Sequence, residues 1–133
     1  MGYDLITGGT DDYSTEDFFT IGKLIEVLKQ NSQYPVRFLG SDFTINSLGS
    51  WRGSYDIPAI SYFYVEGGRL AGAIAAQLES DLGEVHHGWK GGEYKYHRDE
   101  EFFVAQSGCS SEHKVVKFQI EDGELILYTK LAY

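Results

Sequence analysis

Between Phe18 and Leu28 apolar residues recur at three-to-four-residue spacing. Phe18, Ile21, Leu24, Ile25 and Leu28 make one stripe, with Lys23, Glu26 and Lys29 on the opposite side. That period predicts an amphipathic helix over residues 15–30, covering a sheet. Ser14 followed by Thr15, Glu16 and Asp17 reads as its start, since a hydroxyl can cap free backbone N–H groups and carboxylates suit the positive end of the dipole. Gly22 weakens this helix slightly, and the run from Asn31 to Pro35 ends it. A second helix is predicted over 69–82, where Leu70, Ala71, Ile74, Ala75, Leu78 and Leu82 share a face and Gly83 stops it in the usual C-terminal way.

Elsewhere the period shortens to two. Short strands are predicted at 35–40 and 43–50, the second broken by Gly49, and a stronger one at 59–65 with Pro58 at its beginning or on an edge. Glu66-Gly67-Gly68 reads as a turn. Further strands are expected at 84–87, at 93–96 with Tyr94 and Tyr96 on one face, and at 102–106, with a charged turn over 97–101. Val116, Phe118 and Ile120 alternate, Asp122-Gly123 makes a tight turn, and Leu125, Leu127 and Thr129 alternate back, a hairpin over 113–131. The sum is an α+β fold: a mostly antiparallel twisted sheet with two helices packed against it and a C-terminal β-hairpin. Residues 1–13, rich in glycine and aspartate, read as an irregular lead-in to a single domain over 1–133.

A chain of 133 residues can bury one core without metal or disulfide staples. Its single cysteine, Cys109, rules out an internal bridge and points to a reducing compartment, the cytoplasm. No apolar run is long enough for a membrane span, and no signal peptide is evident at the N-terminus. The net charge of −9, from 11 Lys plus Arg against 20 Asp plus Glu, argues against nucleic-acid or anionic-membrane partners. Three of the four histidines, with Lys90, Lys95 and Arg98, nevertheless crowd into residues 86–98 beside only Glu93. Two readings stand for that segment: a local seat for a small anion, or cations that balance the protein's own carboxylates.

Two stretches carry recognition chemistry. Ser50-Trp51-Arg52-Gly53-Ser54-Tyr55 combines rings, hydroxyls, a guanidinium and a glycine, and His86-His87-Gly88-Trp89-Lys90-Gly91-Gly92-Glu93-Tyr94 repeats the theme. A nucleobase can stack on Trp51, Trp89 or Tyr94 while Arg52 and Lys90 meet phosphate, and the glycine loop can turn backbone N–H groups to an anion. The other reading makes the rings core plugs and pairs Arg52 with a carboxylate such as Asp56. Catalytic signatures are missing. Cys109 has only scattered histidines as candidate bases, and His86 and His87, adjacent on a strand, point to opposite faces and complete no metal site. Neither phosphate-loop nor dinucleotide glycine pattern occurs, so binding without catalysis, cofactor or metal is expected.

The paired motifs, separated by a strand and a helix and followed by Phe102-Phe103-Val104-Ala105, resemble a family of small phage and prophage proteins over about residues 36–130. They are similar to phage counter-defence sponges of the Thoeris anti-defence type, small α+β oligomers that sequester a cyclic ADP-ribose-like immune signal in the host cytoplasm without cleaving it. The resemblance implies a homo-oligomer with Arg52, Trp89, Lys90 and Tyr94 in its pocket; the ligand-binding set expected from the two stretches and the cationic segment 86–98 adds Trp51, Ser54, Tyr55, His87 and Arg98. Trp51 and Trp89 stand where relatives often carry another aromatic, and residues 1–13 have no counterpart. A different reading is an acidic inhibitor that mimics nucleic acid and blocks a bacterial defence nuclease complex, for which the acidic clusters at Asp11-Asp12, Glu16-Asp17 and Asp99-Glu100-Glu101 are short. An enzyme degrading the same signal is the weakest reading.

Overall fold

Helix α1 begins at Ile21, six residues after the position the sequence suggests. A computed structural model describes residues 18–51, 54–87, 93–105 and 111–131, with 54–56 and His86–His87 described in their backbone alone. The element order is α1 (Ile21–Gln30), β1 (Pro35–Phe38), β2 (Phe43–Trp51), β3 (Ser54–Tyr64), β4 (Arg69–Leu70), α2 (Ala71–Leu82), β5 (His86–His87), β6 (Glu93–Tyr94), β7 (Phe103–Val104), β8 (His113–Glu121) and β9 (Glu124–Leu131).

The late start of α1 has a physical cause. Thr20, in extended backbone, accepts the Lys23 N–H on its hydroxyl at 3.1 Å and so caps α1, while Ser14, the cap expected from the sequence, lies outside the described residues. Phe18 consequently leaves the helical stripe and packs with Val116, Ile126 and Tyr128. The next two free N–H groups meet a neighbouring turn: Ile21 donates to the Glu100 carbonyl at 2.9 Å and Gly22 to the Arg98 carbonyl at 2.7 Å. Helix α2 uses the same device. Ala71 donates to Tyr34 at 2.9 Å and Gly72 to Ser32 at 3.1 Å. Gly83 ends α2 in the right-handed region, φ −77°, so its N–H closes on the Glu79 and Ser80 carbonyls without the left-handed turn expected of a terminal glycine.

Seven strands form one sheet in the order β2-β3-β7-β8-β9-β1-β4, and β5 and β6 form a separate pair. Within the large sheet β2·β3, β7·β8, β8·β9 and β1·β4 are antiparallel, while β1·β9 and β3·β7 are parallel. The C-terminal hairpin turns at Asp122 and Gly123, both with positive φ, as the tight turn requires. Pro58 lies inside β3 opposite Ser50, further along the strand than the sequence suggests, and just before β3 takes up β7 on its other side at Ala59. The sheet curls until its two edge strands face each other. Arg69 of β4 donates through one guanidinium nitrogen to the Ile45 and Asn46 carbonyls of β2, at 3.1 and 2.8 Å.

Both helices pack on one face of this curled sheet. Leu24, Ile25 and Leu28 from α1 and Ile74 and Leu78 from α2 are fully buried against Val36, Phe38, Ile45, Ile60, Val104, Leu125 and Leu127. The opposite face carries two smaller clusters, one around Val116, Ile126 and Tyr128 and one around Ala59, Phe103 and Ala105. No helix among the described residues is long and apolar enough to cross a membrane.

Candidate functional site

The first recognition stretch sits at the end of the β2–β3 ladder, where Trp51 pairs with Ser54. The Trp51 ring stacks on Phe103, centroids 4.5 Å apart and planes 19° from parallel, and its indole N–H donates to the Ser111 carbonyl at 2.8 Å. Phe103 also receives the Lys114 ammonium at 4.7 Å from its ring centre, and Lys114 reaches Glu101 at 3.0 Å. Trp51 is thus a packing element between β2 and β7, with its polar edge already engaged. Arg52, Gly53 and the side chains of Ser54 and Tyr55 lie outside the described residues.

The second stretch brackets the small ladder, where His86 pairs with Tyr94 and His87 with Glu93. The His87 side chain, Trp89 and Lys90 lie outside the described residues, as does Cys109. Tyr94 is held firmly. Its hydroxyl donates to the Glu100 carboxylate at 2.7 Å, and the same Oε2 accepts the His97 backbone N–H at 3.1 Å. Edge-on contact with Tyr96, centroids 5.2 Å apart, and with His97 at 6.5 Å fixes the ring plane. Beside it opens a cleft of about 220 Å³ lined by Val85, Glu93, Tyr94 and Lys95. Arg98 does not line this cleft. Its guanidinium points to Glu79 on α2 at 3.6 Å and its carbonyl holds the start of α1.

Glu79 binds Lys29 at 2.7 Å as well as Arg98, and the Lys29 hydrogen bond, followed by the nearby positive charges, holds its carboxyl below the ordinary range. The 94–101 segment is therefore tied to α1 by backbone bonds and to α2 by Arg98. Tyr94 inherits that anchoring.

Trp51 and Tyr94 do not meet. Trp51 packs with Ala59, Phe103 and Ala105, whereas Tyr94 packs with the cluster that contains Ile60 and Val104. Successive strand residues face opposite sides, so the two rings belong to clusters on opposite faces of the sheet. A single hollow walled by both rings is not what the fold builds.

A further cleft of about 220 Å³, missed in the sequence, lies between the start of β1 and the end of β3 and is lined by Arg37, Asp42, Tyr64, Gly67, Gly68 and Glu124 among others. Arg37 donates from Nε to Glu124 at 2.9 Å, so the guanidinium is partly neutralised, and Asp42 adds negative charge. An anion would find two carboxylates there. The available signal, positive φ at Gly67 and Gly68, looks in sequence like an ordinary turn. Among the described residues no three His, Cys, Asp or Glu side chains gather closely enough to hold a metal ion. No family model, curated protein or solved structure matches this chain.

Proposed function

We propose that this protein binds and sequesters a small anionic nucleotide-type signal, of the cyclic ADP-ribose class, at the cleft beside β5 and β6, without changing it covalently. The observation that carries the reading is the fixed ring of Tyr94 in a cleft that Lys95 also lines. A ring already held by Glu100 and Tyr96 loses little freedom when a base stacks on it, which favours binding. Lys95 supplies charge for a phosphate, and Glu93 can accept from ribose hydroxyls. Trp89 and Lys90, one and two residues past Gly88 in the chain that joins β5 to β6, complete the proposed set with Arg52 and His87, in a homo-oligomer acting in the host cytoplasm as a counter-defence sponge.

The nucleic-acid mimic is less well supported. A mimic needs outward rows of free carboxylates, but Glu100 accepts from Tyr94 and His97, and Glu101 pairs with Lys114.

Calorimetric titration with cyclic ADP-ribose isomers and cyclic dinucleotides, followed by recovery of the ligand after denaturation, tests the proposal. Saturable binding with unchanged ligand is expected, weakened by Tyr94→Leu, Lys95→Ala, Lys90→Ala and Arg52→Ala. Recovery of a converted ligand would make the protein an enzyme, and absence of binding across the panel would overturn the reading.

A further inference from the structure

A third cleft, of about 180 Å³, lies where the start of α1 meets β8 and is lined by Phe19, Lys23, Val116, Lys117 and Phe118. Its wall is apolar, and both of its charged residues are cationic. The Lys23 ammonium lies over the Phe19 ring, 4.8 Å from its centre, and Lys117 lies over the Tyr128 ring at 5.3 Å. In a chain whose net charge is −9, two lysines beside one apolar hollow run against the overall sign.

A second observation concerns the backbone. The β8–β9 register slips between Val115 and Lys117, so that Val115 faces Thr129 and Lys117 faces Tyr128, with Val116 as the inserted residue. Such bulges re-aim side chains and recur beside binding sites. Here the slip turns Val116 and Lys117 onto the same side of the sheet, into the cleft where Phe19 and Lys23 already stand. Phe19 is set there by its own backbone, which donates to the Val115 carbonyl at 2.8 Å.

We infer that this cleft is a binding site for a small carboxylate carried on a ring or short apolar chain, its body on Phe19, Val116 and Phe118 and its carboxylate between Lys23 and Lys117. A single ring or short apolar chain with one carboxylate suits a cleft of about 180 Å³. Charge-assisted hydrogen bonds from two ammonium groups select the anion over its neutral amide. The site is separate from the cleft beside β5 and β6, and either can stand without the other.

Benzoate is the probe, with benzamide and inorganic phosphate as comparisons, followed by backbone amide NMR shifts of the full chain. Saturable shifts at residues 19, 23 and 116–118 are expected with benzoate at a Kd on the order of 1 mM, the scale for a guest of this size. Lys23→Gln and Lys117→Gln should each weaken binding about tenfold, as expected when a hydrogen bond to a charged group is lost. Lys130→Gln removes the same charge from β9 away from the cleft and should leave the Kd within about twofold; chain-wide electrostatics would instead lower affinity in all three variants alike. Equal affinity for benzamide, equal shifts with phosphate, or no saturable benzoate shift at these residues would each overturn the assignment.

Discussion

Asp81 Oδ2 accepts the backbone N–H of Leu48 at 2.9 Å, from the last turn of α2 to the edge strand β2. The bond falls at a bulge. Ile45 pairs with Tyr62 and Leu48 with Ile60, so Asn46 and Ser47 share one partner and the ladder leaves backbone groups unmatched. Asp81 supplies an acceptor for the orphaned N–H, Gln77 steadies its other oxygen at 2.9 Å, and Arg69 supplies a donor for the Ile45 and Asn46 carbonyls. A carboxylate and a guanidinium from the two ends of one strand–helix unit thus finish an edge that would otherwise present free polar groups.

Removing that acceptor should be costly. Asp81 is buried, and Asp81→Ala strands the Leu48 N–H while discarding a charge-assisted bond, so a loss of about 2–3 kcal/mol is expected. Asp81→Asn keeps one oxygen and should lose less. Thermal unfolding should show Ala falling by about 6–12 °C at this chain size, with Asn intermediate. Equal stability of Asp81→Ala and the parent would mean the bulge is satisfied by solvent.

Gly22 makes the opposite of the usual helix argument. Alanine in a helix interior normally gains about 1 kcal/mol over glycine. A Cβ here would stand 3.0 Å from the Arg98 carbonyl oxygen and 3.1 Å from its Cβ. That carbonyl cannot retreat easily, because it accepts the Gly22 N–H at 2.7 Å within a turn closed by Glu100 on His97. Gly22→Ala should therefore lower stability by about 1–2 kcal/mol, the scale of an overpacked contact. Gly49→Ala, whose Cβ would meet nothing within 4 Å, serves as control and should leave the urea midpoint unchanged or slightly raised, since glycine inside a strand costs backbone entropy.

These two residues show where the sequence was readable and where it was not. The helical stripe from Ile21 to Leu28, the second helix, the C-terminal hairpin and the two-helix, mostly antiparallel plan follow from period and turn residues, which act locally. Gly22 reads in sequence as a mild defect, since the turn it abuts lies 76 residues away, from Gly22 to Arg98. The same holds for the Thr20 cap, since Ser14 offers the stronger local signal in the sequence. Parallel pairing of β1 with β9 and β3 with β7 depends on distant strands and leaves no local signature. In the candidate site, the shared face of Tyr94 and Tyr96 was legible from their spacing, whereas the turn of Arg98 toward Glu79 was not. Arg98 follows a charge on another helix.

Acid should weaken the tie between the helices. The Glu79 carboxyl is held below its ordinary range, first by the Lys29 hydrogen bond and then by the charges of Lys29 and Arg98. A carboxyl lowered in the folded state stabilises the fold above its unfolded pKa, near 4.3 for glutamate, and that contribution disappears as pH falls through the folded value. Glu79 is only partly buried and open to solvent, so the effect is small and screened by salt. Urea midpoints of the parent and Glu79→Gln should differ slightly at pH 7 in low salt and converge in strong acid. A gap that persists in acid would place the contribution elsewhere than in the ionised carboxylate.

Trp51 separates folding from recognition. Its ring is stacked on Phe103 and its N–H bonded to Ser111, on the face of the sheet opposite Tyr94. Trp51→Leu removes an aromatic pair and a hydrogen bond, each about 1 kcal/mol, and should lower stability by about 2 kcal/mol. It should leave nucleotide affinity at the β5–β6 cleft within about twofold, a change of only about 0.4 kcal/mol, because Trp51 does not line that cleft. Tyr94→Leu should do the reverse to affinity, abolishing most binding, while also loosening the Glu100 turn. The discriminating measurement is the pair of Kd values at a temperature where both variants remain folded. If Trp51→Leu binds as poorly as Tyr94→Leu, the two rings act on one ligand across a contact between subunits, since the fold of a single chain keeps them apart.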